Sequence, residues 1–238
     1  VIAWRLECFS ALASTSDFCI ARAKDGEPEG FAVLAETQTA GRGSRGRHWD
    51  SAPGNLFLSV LLRPAVTPAQ NSVFPLLAGV AVAEAVQKFL PPGQEPMLKW
   101  PNDIMLGDAK LAGLLIDAAP HDWLVIGIGV NLRHAPKIPG RVTTSIGPAA
   151  PAPKLAAEAI LQRLSVWLER FDWDGPAPIH AAWLAAAHPI GTEIQVRGMQ
   201  ATASGRFAGL SPSGELLLEV DNRIESFRTG EILLGLGG

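Results

Sequence analysis

Cysteine is almost absent: Cys8 and Cys19 are the only two in 238 residues. They form no CxxC pair and belong to no Cys/His ligand set, which excludes a disulfide scaffold or a thiolate metal site and suits a reducing cytoplasm. Both read as small buried hydrophobes. There is no basic leader before an apolar stretch in the opening VIAWRLECFS, and the alanine-rich run near Gly79 is broken by Glu84. Neither a signal peptide nor a membrane span is therefore expected. Charge is sparse too, at 18% of residues with a net −3 against 47% hydrophobic. That balance excludes general disorder and whole-surface attraction to nucleic acid, so any anion site must be local. None of the five histidines has metal-ligand spacing, and there is no G-x-S-x-G elbow, Walker spacing, internal repeat or low-complexity tail. Zinc hydrolase and serine hydrolase chemistry are accordingly unsupported.

What is present is a chain long enough for a substantial core, in one large domain or a principal domain with an appendage. WRLECF alternates as a strand, and STSD at Ser14–Asp17 reads as a capping box opening a helix to about Ala23. FAVLAETQ and NLFLSVLLRP are further strands, followed by NSVFPLLAGVAVAEAVQKFL as a long helix. MLKWPNDIML, KLAGLLID and DWLVIGIGVNL are three more strands, the first two joined by a tight turn at Gly107 and Asp108. This pattern predicts a mixed sheet containing antiparallel pairs. Helical spacing recurs over Leu155–Phe171 and about Pro178–Ala187. After His188 come TEIQVRG, ATASGRFAGL, ELLLEV and RIESFRTGEILL, short runs that suggest a small antiparallel barrel or sandwich. The expected domains are thus 1–188 and 189–238.

Between two of those strands lies AGRGSRGRHW, Ala40–Trp49. Its glycines satisfy G-x-G-x-x-G, but RHWDSAPGN leads into a strand instead of the helix that the dinucleotide fingerprint requires. Glycines that bring backbone N–H groups near a ligand, with three permanently charged guanidiniums, suit phosphate or carboxylate. Arg42, Arg45 and Arg47 repel one another, so the segment reads as a flap that is mobile until an anion neutralises it. A solvated surface loop is the plainer alternative.

KWPNDIMLGDAKLAGLLID places Lys110 at the start of a strand whose next residues are apolar, a costly position unless an anion balances it. A lysine snorkelling from a strand edge is the other reading. Asp103, beside Asn102, falls within reach across the hairpin, as a structural ion pair or as a carboxylate sharing magnesium with a nucleotide. Ser14, Thr15 and Ser16 read locally as helix capping, Gln38 as a strand terminus and Asn131 as a turn residue.

Taken together, STSD, ETQTAGRGSRGRHW, KWPNDIMLGDAKLAG and GIGVNL, in this order and spacing, closely resemble the biotin protein ligases. The match spans roughly Ser14–Leu132, with the C-terminal strands fitting more loosely. The resemblance implies an α+β fold, a mixed β-sheet flanked by helices like the class II aminoacyl-tRNA synthetases, followed by a small C-terminal antiparallel β-barrel. It implies adenylation of biotin by ATP with magnesium (Mg2+) to biotinyl-5'-AMP, then transfer to a lysine on a biotin carboxyl carrier protein domain of a carboxylase. A cytoplasmic enzyme is implied, with a homodimer among its possible assemblies. By the same resemblance Ser14, Thr15, Ser16 and Gln38 hold the ureido head, and Arg42, Gly43, Ser44 and Gly113 lie along biotin. Lys110 contacts biotin's carboxylate and the α-phosphate, with Arg42 and Asp103 completing the catalytic set. Arg42, Arg45, Arg47, Asn102 and Asn131 attend the nucleotide, Asp103 stands near magnesium, and Trp49 closes the nucleotide side or serves as a hydrophobic anchor.

Only 13 residues precede STSD, too few for the winged helix-turn-helix of repressor-type members, so operator binding is not expected. A lipoate ligase-like acyltransferase and a non-catalytic biotin or nucleotide sensor are the alternatives. Ser44 stands where many members of the resembled family carry another arginine, which implies weaker retention of the adenylate. Biotinyl-AMP released without an acceptor should therefore rise when Ser44 is intact and fall in Ser44→Arg; equal, tight retention by both forms would count against this.

Overall fold

Strand alternation decides which side of a sheet each residue faces, and the central strands here bury both sides. The computed structural model describes residues 2–65, 71–119, 122–198 and 202–233. Seven strands, β1 (Arg5–Leu12), β2 (Phe31–Gln38), β3 (Leu56–Leu62), β4 (Pro96–Lys99), β5 (Asp103–Leu106), β6 (Ala109–Ala119) and β7 (Trp123–Val130), form one sheet. Their order is β1-β2-β3-β7-β6-β5-β4, parallel between β1 and β2 and antiparallel elsewhere, which is the mixed sheet expected. Leu56, Leu58, Val60 and Leu62 of β3 join the core formed with α2 (Val73–Gln87) and α3 (Pro153–Asp174). Leu61, with Phe31 and Val33, packs instead against Cys19 and Ala23 of α1 (Thr15–Lys24). Apolar on nearly every side, α2 is packed among the sheet, α3 and α4 (Ala177–Ala185). Among the described residues no helix is long and apolar enough to cross a membrane.

The expected single strand MLKWPNDIML is two strands, because the chain reverses at Trp100–Asn102, where Pro101 cannot donate to a ladder. The Gly107–Asp108 hairpin is observed, Leu106 pairing with Ala109. Only half of the capping box forms: Ser14 accepts from the Asp17 N–H at 3.2 Å, while the Asp17 carboxylate turns to Arg42.

The C-terminal strands correct the barrel expectation. β8 (Glu193–Arg197), β9 (Thr202–Leu210), β10 (Leu216–Val220), β11 (Arg223–Phe227) and β12 (Glu231–Leu233) form an open sheet, ordered β11-β10-β9-β8-β12. The last expected run splits in two, and among the described residues no ladder joins β11 to β12. Two causes are visible. β12 has three residues, all paired to β8. The apolar face of the sheet, including Ile194, Val196, Phe207, Leu216, Leu218 and Ile232, is continuous with the main core through Trp100 and Trp183, so it has no need to cover itself. Residues 234–238 of the expected domain lie outside those described.

Cys8 departs from the buried reading, since edge strand β1 leaves it exposed. Burial, then the nearby Glu27 carboxylate, push the Cys19 thiol up to about 12. At pH 8 a disulfide-exchange reagent should therefore label one thiol per native chain quickly and the second only on unfolding; rapid labelling of both would contradict this packing.

Candidate active site

A glycine in a buried strand leaves a gap the width of a side chain, and three line one face of this sheet. Gly113 of β6 and Gly127 and Gly129 of β7 alternate with core residues and form the floor of a cavity of about 330 Å³. A Cβ on Gly113 would meet Trp49 Cζ3 at 2.9 Å, and one on Gly129 would strike the same indole. Trp49 thus lies directly on the glycine floor. Its indole N–H is buried without an acceptor among the described residues.

One end of the cavity is polar. The N-terminus of α1 presents Thr15, whose N–H and hydroxyl both donate to Gln38 Oε1, at 2.8 and 3.1 Å. Ser16 Oγ lies 3.1 Å from Ser59 Oγ. Ser14 is nearly buried, acts as the helix cap and does not line the cavity. Gly41 must lack a side chain here, as a Cβ would fall 2.7 Å from Trp49 O and 2.9 Å from Gln38 Nε2.

Toward the other end, Lys110 forms an ion pair with Asp103, and its Nζ lies 5.5 Å from the centroid of the Trp49 ring. The two side chains are 15% and 17% exposed, so the snorkelling alternative fails and the lysine is held in place by its carboxylate. Lys99, paired in register with Asp103, adds another cation. Burial lowers the Lys99 pKa and Lys110 lowers it further, against the opposing pull of Asp103 and Glu231. Asn102 clasps β6, donating to Leu114 O at 2.6 Å. Asn131 donates to Thr144 O at 3.0 Å and Lys110 O at 3.3 Å, tying residues 142–146 beside the lysine. Among the described residues no three His, Cys, Asp or Glu side chains group as a metal site.

The arginine loop is not free. It folds back on itself through Gly43 N–H to Arg47 O at 2.7 Å and Trp49 N–H to Gly41 O at 2.9 Å. Arg45 at its tip adopts a left-handed φ of 60°. Arg42 meets both Asp17 and Asp117, each at 2.9 Å. Arg45 and Arg47 each reach Glu231 of β12 at 3.5 Å, and Arg141 pairs with the same carboxylate. Arg47 also donates to Ser44 O at 3.1 Å and Ser44 Oγ at 2.9 Å. Arg42, Gly43, Ser44 and Arg47 line the cavity, whereas Arg45 and Asp103 do not. The anion expected to quiet this loop is therefore supplied, in the structure, by the protein's own carboxylates.

Several contributors went unread in the sequence. Ser59 is the one polar residue in LFLSVLL, and Gly127 and Gly129 sit at alternate positions in GIGVN, so both had a local signal. Asp117, Arg141, Glu231 and the wall formed by residues 136–139 had none.

Comparison with known proteins gives a consistent result. The sequence profile of the Biotin/lipoate A/B protein ligase family matches residues 13–131, and that of the Biotin protein ligase C terminal domain matches 190–235. The chain is 32% identical to the bifunctional ligase/repressor BirA of Bacillus subtilis over 237 residues, covering 94% of this chain and 72% of that protein. It is 33% identical over 242 residues to a biotin–[acetyl-CoA-carboxylase] ligase of Mycobacterium tuberculosis, covering 97% and 89%. Its fold superposes with a TM-score of 0.81 on the biotin protein ligase of Aquifex aeolicus in complex with biotin and ATP, at 28% identity and covering 96% and 97%.

The loop pairing has a direct consequence. In Glu231→Gln, trypsin should cut after Arg45 or Arg47 roughly three- to tenfold faster at low salt, the size expected for losing several partly exposed ion pairs. An unchanged rate would show that the carboxylate does not restrain the loop.

Proposed function

The chain belongs to the biotin protein ligases, and from that membership we propose how its own residues divide the work of adenylating biotin with ATP and passing the biotinyl group to a carrier lysine. The observation that carries the assignment is a single slot with a polar head at Thr15, Ser16 and Gln38, a glycine floor, and Lys110 toward its far end. A ureido ring matches the head, an aliphatic chain the apolar stretch bordered by Trp49 and the glycines, and a carboxylate the ammonium.

In the first step a biotin carboxylate oxygen attacks the α-phosphorus of ATP, forming the mixed anhydride and releasing pyrophosphate. Two anions must meet, so the cations do most of the work. Lys110 holds the attacking carboxylate and an α-phosphate oxygen; Arg42, Arg45 and Arg47 leave their carboxylate partners for phosphate oxygens. Asn131 and Asn102 act by position, fixing the strands around Lys110, and Trp49 shields the anhydride from water. Asp103 is the carboxylate that would hold a magnesium ion, which would supply charge neutralisation there. In the second step the carrier lysine's amine attacks the anhydride carbonyl, AMP departs, and the same cations retain it. A biotin carboxyl carrier protein domain is the acceptor, and a second copy of the chain is a further candidate partner. The cytoplasm is the compartment of this reading, with residues 1–188 holding the site and 189–238 closing it through Glu231.

Lys110→Ala should lower biotin-dependent pyrophosphate release by roughly a hundredfold or more while circular dichroism stays native. Undiminished release would remove Lys110 from the reaction.

A further inference from the structure

One polar side chain stands where β3 should be wholly apolar. Ser59 is fully buried, lies behind the cavity wall, and reaches Thr15 Oγ1 at 2.9 Å and Ser16 Oγ at 3.1 Å. Gly127 faces it in register across β7, and a Cβ there would fall 2.5 Å from Ser16 Oγ, so the strand pair leaves room for that hydroxyl to reach inward.

The direction of every proton in this cluster follows from one fixed donor. The Thr15 backbone N–H can only donate, and it meets Gln38 Oε1 at 2.8 Å. This orients the amide, so Nε2 points to Ser51 Oγ at 3.1 Å. Gln38 Oε1 has no hydrogen, hence the Thr15 hydroxyl donates to it and must accept from Ser59. With its one hydrogen committed, Ser59 accepts from Ser16. The chain runs Ser16 to Ser59 to Thr15 to Gln38. What remains for a ligand is one N–H on Gln38, lone pairs on Ser16 Oγ, and one on Thr15 Oγ1. A cyclic urea offers the complement, a carbonyl acceptor flanked by two N–H donors.

We infer that Ser59 is a positioning residue that sets this polarity and so makes the head of the cavity specific for a ureido ring. The inference rests on the biotin reading above. Without Ser59 the Ser16 hydrogen has no inward acceptor and can turn toward the ligand's own N–H, setting donor against donor.

Steady-state kinetics of Ser59→Ala and Ser59→Cys test this, with pyrophosphate release as the readout. In both variants the KM for biotin should rise roughly tenfold, with the KM for ATP within twofold and Tm lower by no more than a few degrees. Cysteine fills the space but is a weak hydrogen-bonding group, so a biotin KM restored in Ser59→Cys would make the role one of packing and overturn the inference. Desthiobiotin keeps the ureido ring and lacks the sulfur, and should suffer the same penalty; a penalty confined to biotin would also overturn it. A large fall in Tm together with a parallel worsening of the KM for ATP and of kcat would mark general damage and count the same way. If Ser59→Ala does not fold, Ser59→Cys carries the comparison alone. No biotin-dependent pyrophosphate release by the unaltered chain would instead defeat the ligase reading, a separate outcome.

Discussion

Like charges gathered in one place must be neutralised before a chain can hold them there, and this fold meets that demand with carboxylates from distant parts of its sequence. Arg42, Arg47, Lys110 and Arg141 line the cavity, with Arg45 and Lys99 beside them. Asp17 of α1, Asp117 of β6, Asp103 of β5 and Glu231 of β12 answer them. The arrangement fixes more than charge. Glu231 binds the arginine loop and the segment carrying Arg141 to the C-terminal sheet, so two walls of the cavity and the closing sheet share one carboxylate.

The other constraint is space. Both faces of the central strands are covered, so a cavity can exist only where side chains are missing. Gly113, Gly127 and Gly129 supply that gap on the face shared with α1, while their neighbours Ala112, Leu114, Ile126 and Ile128 build the core on the opposite face. A strand period of two thus assigns one set of residues to stability and the alternate set to the site. Ser59 obeys the same rule, flanked by Leu58 and Val60 that face the helices.

What was legible in the sequence was local. The α1 cap, the Gly107 hairpin and the glycine–arginine stretch carry their chemistry within a few residues, and Thr15, Gln38, Arg42 and Lys110 all line one cavity. The pairings were not legible, because they are long-range. Arg47 and Glu231 are 184 positions apart, and nothing near Glu231 marks it as a counter-ion. The arginine loop's charges were legible, but not the carboxylates that meet them in the fold. The barrel expectation failed for a related reason: alternation shows that strands have an apolar face, not whether that face closes upon itself or upon another core. Here Phe207 packs edge-on to Trp183, and the sheet stays open.

Exposure separates the ion pairs that a ligand can displace from those it cannot. The Arg42, Arg45 and Arg47 side chains are 36–40% exposed, in the regime where a single pair contributes about 0–1 kcal/mol. In the proposed reaction, a triphosphate bearing several charges on closely spaced oxygens outcompetes such partners at small cost, so the loop exchanges carboxylate for phosphate without unfolding. Lys110 and Asp103 are far more buried, and separating them would leave an uncompensated charge at a cost of about 3–5 kcal/mol. In the same proposal that pair persists through binding, with the ammonium's remaining donors turned to the substrate. Depth of setting thus separates the cations: Lys110 is held by a largely buried partner, while the loop arginines sit in exposed, exchangeable pairs.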